Sequence, residues 1–283
     1  MGNLISFLVH CSRGTEAILG NKSHTFIYEA GGISSFGGIH SHQLNNNDDG
    51  TINLDDIKNA VRKDNVHFPR TSLISLENTH NMCFGTPIAA DYIKLVSNIS
   101  KENGLKIHID GARLFNAAVA LSIEVKELVK DVDSVTFCLS KGLSAPVGSV
   151  LCGNKNFIHE ARRIRKALGG GMRQAGIIAA AGLVSLDKMI PQLKIDHENA
   201  KRLADGISTI SGLSVNTETV HTNILYFSLD ESIMKGSELV QKMGQHNVKF
   251  FEVSPNRFRL VTHSNISLEN VNTTLELFDT ILH

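Results

Sequence analysis

The sequence predicts an α/β protein with two parts. A large domain over residues 1–187 is built on a mostly parallel sheet, and a smaller α+β domain follows over residues 188–283. Three observations carry this. Short apolar runs alternate with helical segments through the first half of the chain. A long helical stretch follows from Asn154 to about Gly206. The tail then changes character, with strands crowded around one helix.

Taken in order, Leu4, Leu8 and Cys11 fall on one face of an opening helix. Strands are predicted at Glu16–Leu19, Gly38–Gln43, Ser72–Glu77, Lys106–Asp110, Ser134–Cys138 and Gly148–Cys152. Helices lie between them at Leu54–Lys63, Ile88–Asn103 and Glu124–Val129. The helical stretch breaks at Leu168-Gly169-Gly170-Gly171, and Pro191 marks a bend or a helix start. In the tail, strands near Asn223–Ser228, Val248–Val253 and Phe258–Val261 surround a helix at Gly236–Gln245, and an amphipathic helix closes the chain from about Leu268 to Leu282. Asn45–Gly50 reads as a polar surface loop.

Bulk properties exclude several classes. Of 283 residues, 42% are apolar, which excludes disorder as a description of the chain. Lys and Arg together number 28, as do Asp and Glu, so no global charge favours nucleic acid or an acidic membrane, and any anion site must be local. Four scattered cysteines without a CxxC pair read as reduced thiols of a cytoplasmic protein. His80 and Cys83 have a ligand-like gap, but no second pair completes a metal site, so no metal is expected. No apolar run reaches membrane-spanning length. Met1-Gly2-Asn3-Leu4-Ile5-Ser6 fits a myristoylation pattern.

Two segments place chemistry at strand ends. In Lys106-Ile-His-Ile-Asp110-Gly-Ala-Arg113 an apolar strand ends in a carboxylate. Ligands of open α/β sheets sit at the carboxyl ends of strands, although a carboxylate there equally suits a helix N-cap. In Ser134-Val-Thr-Phe-Cys-Leu-Ser140-Lys141-Gly142 a buried strand ends in a lysine. Partial desolvation would favour its neutral, nucleophilic form, which forms a Schiff base with an aldehyde; alone, it equally suits a loop lysine. On successive strands of one sheet, the two together meet the needs of pyridoxal 5'-phosphate (PLP): an amine for the aldehyde and a carboxylate for the ring nitrogen.

Several blocks extend this. Leu76-Glu-Asn-Thr-His-Asn81, His108-Ile-Asp-Gly-Ala-Arg-Leu-Phe-Asn116, Ser140-Lys-Gly-Leu-Ser-Ala-Pro-Val-Gly148 and Arg165-Lys-Ala-Leu-Gly-Gly-Gly-Met-Arg-Gln174 resemble the low-specificity L-threonine aldolases. Ser23-His-Thr-Phe-Ile-Tyr-Glu-Ala-Gly-Gly32 and Arg259-Leu-Val-Thr-His263 share the likeness, which spans nearly the whole chain. The resemblance implies the PLP-dependent transferase fold, fold type I, and a homo-oligomer, a dimer of dimers with active sites at subunit interfaces. It implies Lys141 as the Schiff-base lysine, Asp110 as the partner of the ring nitrogen and His24 as the imidazole on the ring face. Arg113 and Arg259 are implied for the amino-acid carboxylate or the cofactor, and His67 as a second active-site histidine. Lys166 and Arg173 are implied as basic residues offered to a neighbouring subunit's phosphate region. Glu77 and His80 are expected to order the loop above the cofactor. The implied reaction is retro-aldol cleavage of L-threonine or L-allo-threonine to glycine and acetaldehyde, with His24 or His67 as base candidates. Another PLP lyase on the same fold is the alternative.

The start departs from the family, whose members carry several tens of residues ahead of this point. Met1 is therefore expected to be an internal methionine, and the lipidation match a coincidence. Gly2 and Asn3 still offer backbone N–H groups at a helix N-terminus, a phosphate cradle. The hydroxyl donors expected before them are absent, so weakened PLP binding and an impaired, N-terminally truncated product form a further alternative.

Overall fold

The computed structural model describes residues 1–283. Six strands form the first sheet: β1 (Glu16–Gly20), β2 (His40–Leu44), β3 (Thr71–Glu77), β4 (Lys106–Asp110), β5 (Ser134–Cys138) and β6 (Ser149–Gly153), in the order β2-β1-β3-β4-β5-β6. All neighbours are parallel except β5 and β6. β1 and β3–β5 are buried almost throughout because helices cover both faces. The order reverses between β1 and β3, so the crevice at their carboxyl ends is a switch point of the kind that binds ligands in open α/β sheets.

The largest apolar core lies around this sheet, with Ile18, Ile74, Ile107, Ile109 and Val135 from the strands and Ile93, Val96 and Leu114 from the helices. The opening helix, Gly2–His10, buries Ile5 and Phe7, with Leu4 and Leu8 packed partly buried beside Phe7 and Cys11. A second core fills the C-terminal part around Phe227, Phe250, Phe258 and Phe278. Its antiparallel sheet has the order β7-β8-β10-β9, with β7 at Leu213–Ser214, β8 at Ile224–Leu229, β9 at Phe251–Ser254 and β10 at Arg257–Val261. The helix Gln192–Ile207 joins the two: Leu193 belongs to the first core, and Ala200, Leu203 and Ile207 to the second.

The expected helical break is present, between Lys155–Ala167 and Gly176–Lys188. Pro191 immediately precedes the next helix, as its fixed φ and missing N–H favour. No single helix is long and apolar enough to cross a membrane.

Candidate active site

Four strand ends meet at the switch point. β3 and β4 end in register at Glu77 and Asp110, β1 leads through a turn to His24, and β5 leads to Lys141. A cleft of about 480 Å³ opens there, lined by His24, Glu77, Arg113, Lys141 and Arg259, with Tyr28, Asn81, Met82 and Phe251 around them. Arg259 and Phe251 come from the second sheet, so both parts of the chain build the cleft.

Glu77 organises one wall. Its Oε2 accepts the His24 backbone N–H at 2.6 Å, at the start of the short helix His24–Ile27, and its Oε1 accepts the Asn81 N–H at 2.8 Å. Burial pushes this carboxyl up, and those bonds with the charges of His24 and Arg113 oppose it. His80 orders the same loop through its backbone: its N–H donates to Thr86 O at 3.0 Å and its carbonyl accepts from Gly85 at 2.9 Å. Its buried imidazole has no hydrogen-bond partner.

Asp110 is 3% exposed and lies behind the lining. Its Oδ1 accepts the Ala112 N–H at 3.2 Å, and its Oδ2 accepts from Asn3 Nδ2 at 2.8 Å. Burial first, then the nearby charges of Glu77 and Glu29, push its pKa up to about 6, while His24 and Lys141 oppose the rise. A buried carboxylate in this state is poised to meet a cationic partner. The same Asn3 amide also donates to Glu29 Oε1 at 2.8 Å, and Glu29 Oε1 lies 3.1 Å from His24 Nδ1. Ligating atoms of His24, Glu29 and Asp110 fall within 4.8 Å of one another. The His24 pKa is raised, first by its bond to Glu29 and then by the charges of Asp110, Glu29 and Glu77, against desolvation.

Lys141 is half-buried three residues past β5, on a loop pinned by Leu139 N–H to Gly148 O at 2.9 Å and Ser144 N–H to Lys141 O at 2.9 Å. Gly142 lets this loop lie flat: a Cβ there would come within 2.8 Å of both Asn116 and Leu193.

Arg113 and Arg259 supply a positive end. The buried Nε of each has no partner, and Arg259 Nη1 donates to Asn81 Oδ1 at 2.9 Å. Burial and then the Arg259 charge lower the pKa of Arg113. Two half-buried guanidiniums with unspent Nε donors make a site for a planar, bidentate anion.

The remaining expected residues lie elsewhere in this chain. His67 does not join the cleft: it is exposed, four residues before β3, whereas the cleft lies at that strand's other end. A parallel strand of that length separates its two ends by roughly 20 Å, which places His67 outside this subunit's own site. Lys166 and Arg173 are also exposed and outside the cleft. Gly2 lines a neighbouring groove with Met1, Arg162 and Arg165. Asn3 is engaged through its side chain, a use that the backbone-cradle expectation missed. Sequence reasoning also missed Tyr28 and Asn81 as cleft-lining residues and Glu29 as the partner of His24; Tyr28 and Glu29 stand in the Ser23–Gly32 block and Asn81 closes the Leu76–Asn81 block, which were the available signals.

A family model described as beta-eliminating lyase matches residues 1–230. The chain belongs to that family. It is 45% identical over 282 residues to low-specificity L-threonine aldolase 1 of Arabidopsis thaliana, an alignment covering 98% of this chain and 79% of the relative. It is 42% identical over 269 residues to the low specificity L-threonine aldolase of Escherichia coli strain K12, covering 95% and 78%. The solved threonine aldolase of Leishmania major superposes with a TM-score of 0.80 at 19% identity, covering 99% of this chain and 81% of that one. At that identity the superposition establishes the fold, which is the expected PLP-dependent fold type I. The resemblance read from the motifs therefore holds along the chain, and PLP is the cofactor that this membership implies.

Proposed function

We propose that this protein is a PLP-dependent carbon–carbon lyase cleaving L-threonine and L-allo-threonine to glycine and acetaldehyde. One observation carries the reading: a single cleft joins Lys141 to a carboxylate buried behind it, Asp110, and to two arginines with unspent buried donors. These residues fit the cofactor. Lys141 offers an amine to its aldehyde, Asp110 a buried anion to its ring nitrogen, and His24 a ring for its face.

When bound, PLP supplies an electron sink for the pair left on Cα as the Cα–Cβ bond breaks. The chain's residues do the rest. Arg113 and Arg259 bind and orient the substrate carboxylate. Asp110, a buried carboxylate, would hold a proton at the ring nitrogen and so keep the ring able to accept electrons. His24 takes the β-hydroxyl proton. Glu29 holds its Nδ1, which leaves Nε2 as the basic nitrogen. His67, which lies away from this cleft, is not needed as the base.

The wider assignments are proposals of the same kind. Residues 1–187 form the cofactor-binding part and 188–283 the smaller part that brings Arg259. A homo-oligomer is supported by apolar exposure on the helix Gly176–Lys188, where Ile177 is 84% and Leu183 69% exposed. In such an assembly Lys166 and Arg173 serve the neighbouring subunit's phosphate site. The protein is cytoplasmic, and its partner in the reaction is a small amino acid.

The test is to incubate the purified, PLP-loaded protein with L-threonine. Acetaldehyde and glycine in equal amounts support the reading; a keto acid with ammonia, or no turnover by a protein that binds PLP, would overturn it.

A further inference from the structure

A line of polar side chains runs from the helix Gly2–His10 to Asp110. His10 Nε2 lies 2.8 Å from Ser134 Oγ, and Ser134 Oγ lies 2.8 Å from His108 Nδ1. His108 Nε2 lies 3.2 Å from Asn3 Oδ1, and Asn3 Nδ2 is 2.8 Å from both Asp110 Oδ2 and Glu29 Oε1. Ser134 and His108 are buried, His108 completely.

With Glu29 and Asp110 both ionised, one set of hydrogens satisfies every contact in this line. Ionised carboxylates only accept, so Asn3 must turn its amide NH2 toward Glu29 and Asp110 and give one hydrogen to each. Its Oδ1 then faces His108, which must carry its proton on Nε2. Nδ1 is left as a lone pair that accepts from the Ser134 hydroxyl, and Ser134 in turn accepts from His10 Nε2–H. Burial keeps His108 neutral, with its pKa lowered to about 3, and His10 lowered to about 4. The competing state has the Asn3 amide rotated by half a turn, with Oδ1 accepting from a protonated Asp110. That state would set Oδ1 against the Glu29 carboxylate, acceptor against acceptor, and would oppose the amide NH2 to His108 Nε2–H unless the imidazole changed tautomer.

We infer that His108 is a positioning residue for Asp110: through Asn3 it holds the amide orientation that donates an N–H to the Asp110 carboxyl and so favours its ionised form. This rests on the PLP reading above. His108 touches neither cofactor nor substrate. Its Nε2–H holds the Asn3 amide oxygen so that the amide N–H stays on Asp110, and the Ser134 hydroxyl completes the line at His108 Nδ1.

The experiment compares the wild type with His108→Gln, which keeps an N–H donor near the place of Nε2, and His108→Leu, which removes it. PLP dissociation constants are measured by absorbance titration. The tautomer of His108 in the PLP-loaded wild type is read from nitrogen shifts of 15N-histidine-labelled protein. The leucine variant is expected to bind PLP about tenfold more weakly, the loss of one net hydrogen bond, with affinity restored in the glutamine variant. The His108 signal is expected in the Nε2–H form. Wild-type affinity in the leucine variant, or the Nδ1–H tautomer, overturns the inference and leaves the functional reading standing. Should the leucine variant not fold, the tautomer decides alone. A wild type that binds no PLP overturns both.

Discussion

Replacing Arg259 with methionine separates what the cleft does for stability from what it does for chemistry. The Arg259 Nε makes no hydrogen bond within the chain, and the Arg259 charge bears on the half-buried Arg113. An unsatisfied buried donor costs about 1–3 kcal/mol. Methionine removes that cost and the repulsion, and forfeits the 2.9 Å bond from Nη1 to Asn81, worth about 1 kcal/mol. The net is a stabilisation of about 1 kcal/mol, which in a chain of this size raises the melting temperature by roughly 2–4 °C. With substrate the sign reverses. A charge-assisted hydrogen bond to a carboxylate contributes about 1.5–3 kcal/mol, so KM for L-threonine should rise by roughly 10- to 150-fold. Differential scanning fluorimetry of the PLP-loaded protein and initial-rate kinetics measure the two effects. A variant with unchanged KM, or one that melts earlier without substrate, would refute the assignment of these arginines as a carboxylate site.

Two other perturbations probe the surroundings. Glu29→Gln removes the carboxylate that raises the His24 pKa, so the acidic limb of kcat/KM should move to lower pH, measured as a pH–rate profile. Burial pushes Glu29 itself up, but its bonds from His24 and Asn3 outweigh this and leave it below the usual range. The stability that Glu29 gains from His24 is thus lost at low pH as Glu29 protonates. It is lost again as pH rises through the raised His24 value, so the wild-type advantage in urea unfolding should peak between those titrations. Gly111→Ala sets a Cβ 2.7 Å from the Thr136 carbonyl, a backbone atom of the adjacent strand. Such overpacking costs typically 1–3 kcal/mol. Because Gly111 follows Asp110 directly, weaker PLP binding should accompany the lower melting temperature.

The central strands were legible as short segments rich in Ile, Leu, Val and Phe between helical stretches, and Asp110 and Lys141 each stand at or just beyond the end of such a segment. β2 was read two residues early: Gly38 adopts a positive φ in the turn, and the strand starts at His40. The helix Leu114–Leu121 carried no period, since nearly every residue in it is apolar. β7 is two residues long, too short to leave a pattern. Within the site, strand position marked the residues that belong to one segment, but pairings between distant segments left no local trace. Asn3 meets Asp110 across 107 positions, and Arg259 meets Asn81 across 178. Glu29 is closer to His24 in sequence, yet only the turn after the helix His24–Ile27 brings the two together. His67 stands apart: motif likeness placed it in a site, and the direction of β3 sets it at the far end of the sheet from this chain's own cleft.

The most direct test traps the bond that the cleft is built to form. Reduction of the PLP-loaded protein with borohydride, followed by peptide mass mapping, should find the pyridoxyl group on Lys141 Nζ and nowhere else, and Lys141→Ala should lose both the label and the visible absorbance. A label on another lysine, or visible absorbance that survives the alanine substitution, would contradict the account.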